Sequence, residues 1–106
     1  MNPTAAEKLG IQPFDAADFL QSDEDCAMYQ QACIEQAPDD ASLFAKALGD
    51  IARARGMMQL ARDTGITREG LYKALSEQGN PTLSTALKVL NALGMRLHID
   101  ARPKHA

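Results

Sequence analysis

The residues best suited to recognise another molecule lie between positions 67 and 76. In a helix over this segment, the apolar Leu71 and Leu75 would face inward, so the polar residues would share the outer face. Arginine and lysine hydrogen-bond well to guanine O6 and N7, which makes Arg68 and Lys73 candidates for contacts with base edges. The predicted outer face consists of Thr67, Arg68, Glu69, Tyr72, Lys73 and Ser76. Such a face favours a helix that enters the major groove of DNA.

Two residues of this face have a second possible role. Glu69 could accept a hydrogen bond from cytosine N4, but it also lies four residues before Lys73 and could pair with it along the helix. Tyr72 could pack on a sugar or a thymine methyl group, or it could only cover the edge of the core. The sequence leaves both alternatives open.

Candidates for phosphate contacts flank this segment. A loop and the N-terminus of the helix that follows it offer polar side chains beside backbone N–H groups, which favour anions. These candidates are Asn80, Thr82, Thr85 and Lys88. Arg53 and Arg55 could reach phosphate from another direction, or they could form salt bridges between helices.

The elements that must position these side chains form a predicted helix-turn-helix over residues 57–75. Gly65 supplies a residue that can adopt a positive φ in a tight turn. Ala61, four residues earlier, is small enough to let the two helices approach closely. Leu60 and Ile66 are expected to fill the wedge between them.

The rest of the chain predicts further helices. Ser22, followed by three acidic residues, is a typical helix N-cap, and Pro38-Asp39-Asp40 ends that helix and caps the next. Apolar residues at intervals of three and four predict the helical segments. The predicted helices cover about 22–36, 41–55, 57–63, the recognition segment from Thr67, and 83–93.

The C-terminal segment 95–100 alternates apolar and polar residues, which predicts a short strand. A single strand cannot satisfy its own backbone hydrogen bonds, so it should pair with another chain or lie at an edge. The alternative is an extended tail that packs on the helices. The predicted organisation is an arm (1–12), one helical domain (13–100) and a tail (101–106); the domain comprises acidic N-terminal helices (13–40), the helix-turn-helix core (41–94) and the strand (95–100).

Charge is distributed unevenly along the 106 residues. The net charge is −3, but residues 1–50 hold ten acidic and two basic side chains, whereas residues 51–106 hold four acidic and nine basic ones. This asymmetry favours two faces with different partners, although the acidic half could also be a solvated helical surface.

Several classes of function are not expected. The sequence has no nucleophile with a neighbouring histidine and acid, no phosphate-binding glycine loop and no cluster of metal ligands, so we predict no enzyme, no cofactor and no metal site. Cys26 and Cys33 lie two helical turns apart, too far for a disulfide, and are expected to be buried apolar residues. No apolar run is long enough to span a membrane and no secretory signal is visible, which predicts a cytoplasmic protein.

The segment QLARDTGITREGLYKALSEQGNPTLSTALKVLNALG (59–94) resembles the DNA-binding domain of phage-repressor-like regulators of the Xre/Cro type. Together with PFDAADFL, ALGDIARARGM, LYKALSEQGNP and ALGMRLHI, it makes the chain similar, from Pro13 to Ile99, to the HigA-like group of probable addiction module antidote proteins. The resemblance implies an all-α, lambda-repressor-like five-helix domain, here with extra N-terminal helices and a short C-terminal strand. It also implies a double-stranded DNA operator, repression of the shared operon and a cognate toxin of the RelE/ParE-like type.

Two positions depart from the repressor-like pattern. Such domains often have a glutamine that contacts phosphate where this chain has Met57, and Gln59 is a possible substitute. Gly70 lies inside the recognition helix, where glycine costs about 1 kcal/mol relative to alanine. It could serve close approach to DNA or to the preceding helix.

The predicted function is therefore a DNA-binding antitoxin that forms a homodimer, since one small domain contacts only a half-site. The strand and the N-terminal helices are the candidate dimer contacts. An acidic surface could complement a basic toxin; its residues would be Asp15, Asp18, Asp23, Glu24 and Asp25. The alternatives are a stand-alone phage-type regulator and a protein-interaction module that has lost DNA binding.

Overall fold

The computed structural model describes residues 19–102, and the predicted arm, Asp15, Asp18 and the end of the tail lie outside this range. The described chain folds into helices joined by short turns. They are α1 (Asp23–Gln36), α2 (Ala41–Arg55), α3 (Met57–Thr64), α4 (Arg68–Ala74) and α5 (Leu83–Ala92). The predicted all-helical class is confirmed for this part of the chain.

Side-chain caps fix where four of these helices begin. The Ser22 hydroxyl accepts a hydrogen bond from the Asp25 N–H at 3.1 Å, which satisfies one of the free N–H groups in the first turn of α1. Equivalent caps begin the other three helices, with Asp40 at α2, Thr67 at α4 and Thr82 at α5. The predicted caps at Ser22, Asp40 and Thr67 are confirmed.

Helices α1 and α2 pack side by side. Cys26, Tyr29 and Cys33 of α1 are buried together with Leu48 and Ile51 of α2 in one hydrophobic cluster. Both cysteines are free thiols, as predicted, and burial raises the pKa of each. These thiols therefore act as small apolar residues of the core.

The same cluster extends beneath the shorter helices. Leu71 and Leu75 are fully buried, as predicted from their spacing, in the same cluster as Leu60 of α3 and Val89 of α5. Ile66 and Ala61 are partly buried against this cluster. The apolar side of α4 therefore fixes which of its faces remains outside.

The acidic helix is part of this bundle. We expected a five-helix domain with extra N-terminal helices; residues 13–18 of that predicted part lie outside the described chain, whereas α1 belongs to the same bundle as α2, α3, α4 and α5. The reason is that α1 contributes buried side chains to the common core, so the other four helices do not form a complete core without it.

The predicted C-terminal strand is absent from the described chain. The Met95 N–H donates to the Leu90 carbonyl at 2.8 Å, but residues 96–102 form no backbone hydrogen bond with any part of residues 19–102. A strand exists only where a neighbouring strand supplies partners, and residues 19–102 contain no other strand. Ile99 is 91% exposed at the end of this segment.

Among the helices described, none has both the length and the apolar character needed to cross a membrane.

Candidate nucleic-acid interface

A three-residue turn connects α3 to α4. Gly65 adopts the left-handed conformation (φ 76°), and its N–H donates to the Ala61 carbonyl at 2.9 Å. The Thr64 hydroxyl donates to the Leu60 carbonyl at 2.8 Å and accepts from the Ile66 N–H at 3.2 Å. These local bonds hold the turn so that α4 begins three residues after Gly65.

Helix α4 presents the predicted polar face to solvent. Tyr72 is 43% exposed, so it does not belong to the core even though it lies next to the fully buried Leu71. Ser76 is half-buried, and its hydroxyl donates to the Lys73 carbonyl at 3.1 Å. The remaining predicted residues of the face are exposed: Thr67, Arg68, Glu69 and Lys73.

The basic residues of α4 and α5 are exposed to solvent. Within residues 19–102, none of Arg68, Lys73 and Lys88 forms an ion pair. In particular, Glu69 does not pair with Lys73, although their spacing allows it. These cations therefore remain available to an anionic ligand.

The basic residues of α2 behave differently, because all of them are paired. Asp50 accepts from Arg53 at 2.9 Å and from Lys46 at 3.4 Å, and it also accepts from the Tyr29 hydroxyl at 2.7 Å. Burial, and then this hydrogen bond to a carboxylate, raises the pKa of Tyr29 far above its usual range.

Arg55 joins α2 to the beginning of α1. Its guanidinium donates to the Asp23 carboxylate at 2.8 Å and to the Gln21 carbonyl at 2.9 Å. Of its two suggested roles, phosphate contact and interhelical salt bridge, Arg55 therefore forms the salt bridge, whereas Arg53 pairs within its own helix.

The two departures from the repressor-like pattern have structural explanations. Met57 is only 7% exposed, because its side chain belongs to the core and does not face outward. Gln59 is exposed on α3, and its side-chain amide donates to Asp63 at 2.8 Å. A Cβ on Gly70 would lie 3.0 Å from the Thr67 hydroxyl oxygen and 3.3 Å from Ile66, so this glycine makes room for the turn preceding α4.

The loop before α5 holds the remaining predicted residues. Thr82 caps the helix: its hydroxyl accepts from the Thr85 N–H and donates to the Thr85 hydroxyl, each at 3.1 Å. Thr85 is half-buried, whereas Asn80 and Lys88 are exposed. The N-terminus of α5 therefore carries polar groups that suit a phosphate, and Lys88 lies further along the same helix.

Among residues 19–102, no group of three or more histidine, cysteine, aspartate or glutamate side chains is placed to hold a metal ion.

Within residues 19–102, the fold and this site define a small, all-helical protein in which α4 and α5 expose basic side chains that form no ion pair. Residues 10–101 match the family described as probable addiction module antidote protein, and the chain belongs to this family. It is also 48% identical over 90 residues to an uncharacterized protein of Haemophilus influenzae; this alignment covers 85% of the chain and 91% of that protein. No solved structure gives a significant match.

Proposed function

We propose that this chain is the antitoxin of a type II toxin–antitoxin module. It binds double-stranded DNA through α4, represses its own operon in the cytoplasm and neutralises a toxin of the RelE/ParE-like type. Membership of the antidote family supports the antitoxin role. The DNA-binding role is supported by the arrangement of charges.

The observation that carries the DNA-binding proposal is the contrast between paired and unpaired cations. All three basic residues of α2 pair with acidic side chains, whereas Arg68 and Lys73 point outward from α4 without such a partner in residues 19–102. An unpaired arginine keeps its full hydrogen-bonding capacity for a guanine edge. Lys88 and the N-terminus of α5 are the proposed phosphate contacts.

The best test of DNA binding is a salt series with fluorescent duplex that carries the sequence upstream of the chain's own gene. We expect tight binding that weakens steeply as salt rises, because bound phosphates release their counterions. Arg68→Ala should weaken the affinity by about 1–3 kcal/mol and relax specificity. Arg102→Ala removes the same charge from an exposed residue outside the helices and should have a much smaller effect.

Two outcomes of this experiment would count against the proposal. Equal affinity for a scrambled duplex at low salt would remove autorepression and favour the protein-interaction module. Equal losses for Arg68→Ala and Arg102→Ala would show that α4 does not contact the bases.

The acidic surface supports the proposed toxin contact. Glu24 is exposed and Asp25 half-exposed in the first turn of α1, whereas Asp23 is already engaged by Arg55. Toxins that act on RNA or ribosomes are often basic, and such a toxin would find a complementary charge here.

Co-expression with the product of an adjacent short, basic open reading frame tests the toxin contact. We expect a stable complex that restores growth, and a weaker complex for the double variant Glu24→Gln, Asp25→Asn. The matched control, Glu69→Gln with Glu77→Gln, removes two negative charges from the other half of the chain. Strong binding by the α1 variant would contradict an acidic contact, and the absence of any such neighbouring gene would favour a stand-alone regulator.

A further inference from the structure

We propose that two copies of this chain associate by antiparallel pairing of residues 96–100 across a two-fold axis at His98. This inference deepens the proposed function, which requires two copies on one operator. It assigns the interface to the C-terminal segment and not to the N-terminal helices.

The first observation is that this segment has the residue pattern of a strand but no neighbouring strand within residues 19–102. Residues 96–102 belong to no helix, and none of their backbone groups bonds to another residue of the described chain. Leu97 is 45% exposed and Ile99 is 91% exposed, on a segment whose apolar and polar residues alternate. Exposed edge groups and a row of apolar side chains are what a pairing strand presents.

The second observation is an open apolar groove beside the segment. It has a volume of about 400 Å³ and lies between α1, α2, α5 and the C-terminal residues. Its apolar lining includes Ile34, Phe44, Leu83, Leu90 and Leu97. Leu83 is 68% exposed there, so the groove leaves a large apolar surface in water.

The sequence of the segment is complementary to itself in one register. With His98 opposite its own copy, Arg96 of each chain faces Asp100 of the other, and Leu97 faces Ile99. Leu97 lines the groove, so Ile99 of the second copy would lie on the same side and cover it.

Neighbouring registers are worse. A shift by one residue places apolar side chains opposite polar ones, because side chains alternate between the two faces of a strand. A two-fold axis at Ile99 would set Arg96 opposite Arg102, which places like charges together. A two-fold axis at Leu97 leaves Arg96 opposite His98 and loses both pairs of opposite charge.

The groove and the strands are needed together. A two-stranded ribbon alone is only marginally stable in water, so the pairing needs apolar burial from Leu97, Ile99 and the groove. The occupant is therefore a second copy of this chain, whose own Ile99 supplies the missing cover.

Sedimentation equilibrium of the purified chain, without DNA or toxin, tests the interface. We expect a dimer for the native sequence and at least about a ten-fold higher dissociation constant for Ile99→Asp. Met28→Asp is the matched control, because Met28 is an exposed apolar residue (56%) on α1. It should leave the dimer unchanged, and circular dichroism should show both variants folded.

Cysteine cross-linking tests the register. His98→Cys should form a disulfide with its copy under oxidation, because the two positions face each other. Arg96→Cys should not, since its copies would lie about four residues apart along the strands. The native Cys26 and Cys33 are buried and do not compete.

Three results would overturn the inference. They are a monomeric native chain at micromolar concentration, dissociation by Met28→Asp instead of Ile99→Asp, and cross-linking of Arg96→Cys without that of His98→Cys. The Met28→Asp and Arg96→Cys results would leave the proposed function standing, whereas a monomeric chain would also count against two copies on one operator; DNA binding and toxin binding are measured separately. Failure of the interface can therefore be distinguished from failure of the function.

Discussion

Gly49, in the interior of α2, lies directly against the backbone carbonyl oxygen of Leu75 at the C-terminal end of α4. A Cβ at position 49 would overlap that oxygen, so the helices approach this closely only because the residue is glycine. Leu75 itself is fully buried. The contact thus fixes the end of the helix that presents Arg68 and Lys73.

Gly49→Ala should therefore destabilise the protein. Alanine in a helix interior normally gains about 1 kcal/mol over glycine, but here the added methyl group must displace the backbone of α4. Overpacking of this kind costs about 1–3 kcal/mol, so we expect a lower free energy of unfolding in urea titrations followed by circular dichroism.

Asn91→Ala is the control for helix propensity, because Asn91 is exposed on α5. It should raise the free energy of unfolding by about 0.5 kcal/mol. If Gly49→Ala were stabilising to a similar degree, the close contact with Leu75 would be wrong.

The Thr67 cap should decide whether the seven-residue helix α4 is stable. Its hydroxyl accepts from the Gly70 N–H at 3.0 Å, so Thr67→Ala leaves that donor without its cap and should cost about 1 kcal/mol. Thr67→Ser keeps the hydroxyl and should retain most of the stability. Thermal unfolding of the three proteins measures this, and equal midpoints for Thr67→Ala and the native chain would disprove the cap.

The same variants separate two roles of Thr67. If the residue acts only through the helix, DNA affinity should fall in Thr67→Ala and recover in Thr67→Ser. A loss of affinity in Thr67→Ser, which keeps the cap and the stability, would instead indicate a direct contact of the threonine methyl group with DNA.

The features that the sequence predicted correctly are local ones. The caps at Ser22 and Thr67 and the buried positions Leu71 and Leu75 depend on neighbours within about four residues. Helical periodicity contains this information, because it determines which side chains share a face. The predicted polar face of α4 is exposed for the same reason.

Contacts between distant residues could not be predicted in this way. Tyr29 meets Asp50 and Arg55 meets Asp23, and each pair is more than 20 residues apart in sequence. Periodicity identifies the inner face of each helix, but it does not say which residues of two helices meet. The role of Gly49 was missed for this reason, and the strand prediction failed in the isolated chain because strands require a partner.

The Arg55–Asp23 ion pair should contribute only modestly to stability. The two side chains are 30% and 53% exposed, so water and salt screen their attraction. A double-mutant cycle with Arg55→Ala and Asp23→Asn should give a coupling energy of about 0.2–1 kcal/mol that shrinks in high salt. Arg55→Ala alone should cost more, because it also removes the bond to the Gln21 carbonyl.

A second cycle provides the comparison for this pair. Arg62 is exposed on α3 and forms no ion pair within residues 19–102, so Arg62→Ala with Asp23→Asn should show no coupling. Equal coupling energies in the two cycles would mean that the first reports general charge effects and not the contact between α1 and α2.

The buried Tyr29 hydroxyl should make the fold sensitive to alkaline pH. Burial and the bond to Asp50 raise the pKa of Tyr29 in the folded state, whereas in the unfolded chain a tyrosine loses its proton near pH 10. Above about pH 10 the folded state therefore binds more protons than the unfolded state, and stability falls as pH rises. The contribution of Tyr29 is fully present below that pH and is lost above it, by up to about 1.4 kcal/mol per pH unit.

Urea titrations between pH 8 and pH 11 measure this effect. Tyr29→Phe should be less stable at pH 8, because it loses the hydrogen bond to Asp50, but its stability should fall less steeply above pH 10. The buried thiols of Cys26 and Cys33 contribute to the alkaline loss in both proteins, so the difference between the two slopes isolates Tyr29. Tyr72→Phe is the matched control, because Tyr72 is exposed and bonds to no carboxylate in the described chain, and it should keep the native slope. If Tyr29→Phe and the native chain lost stability in parallel above pH 10, the hydroxyl at position 29 would not be held in its protonated form by the fold.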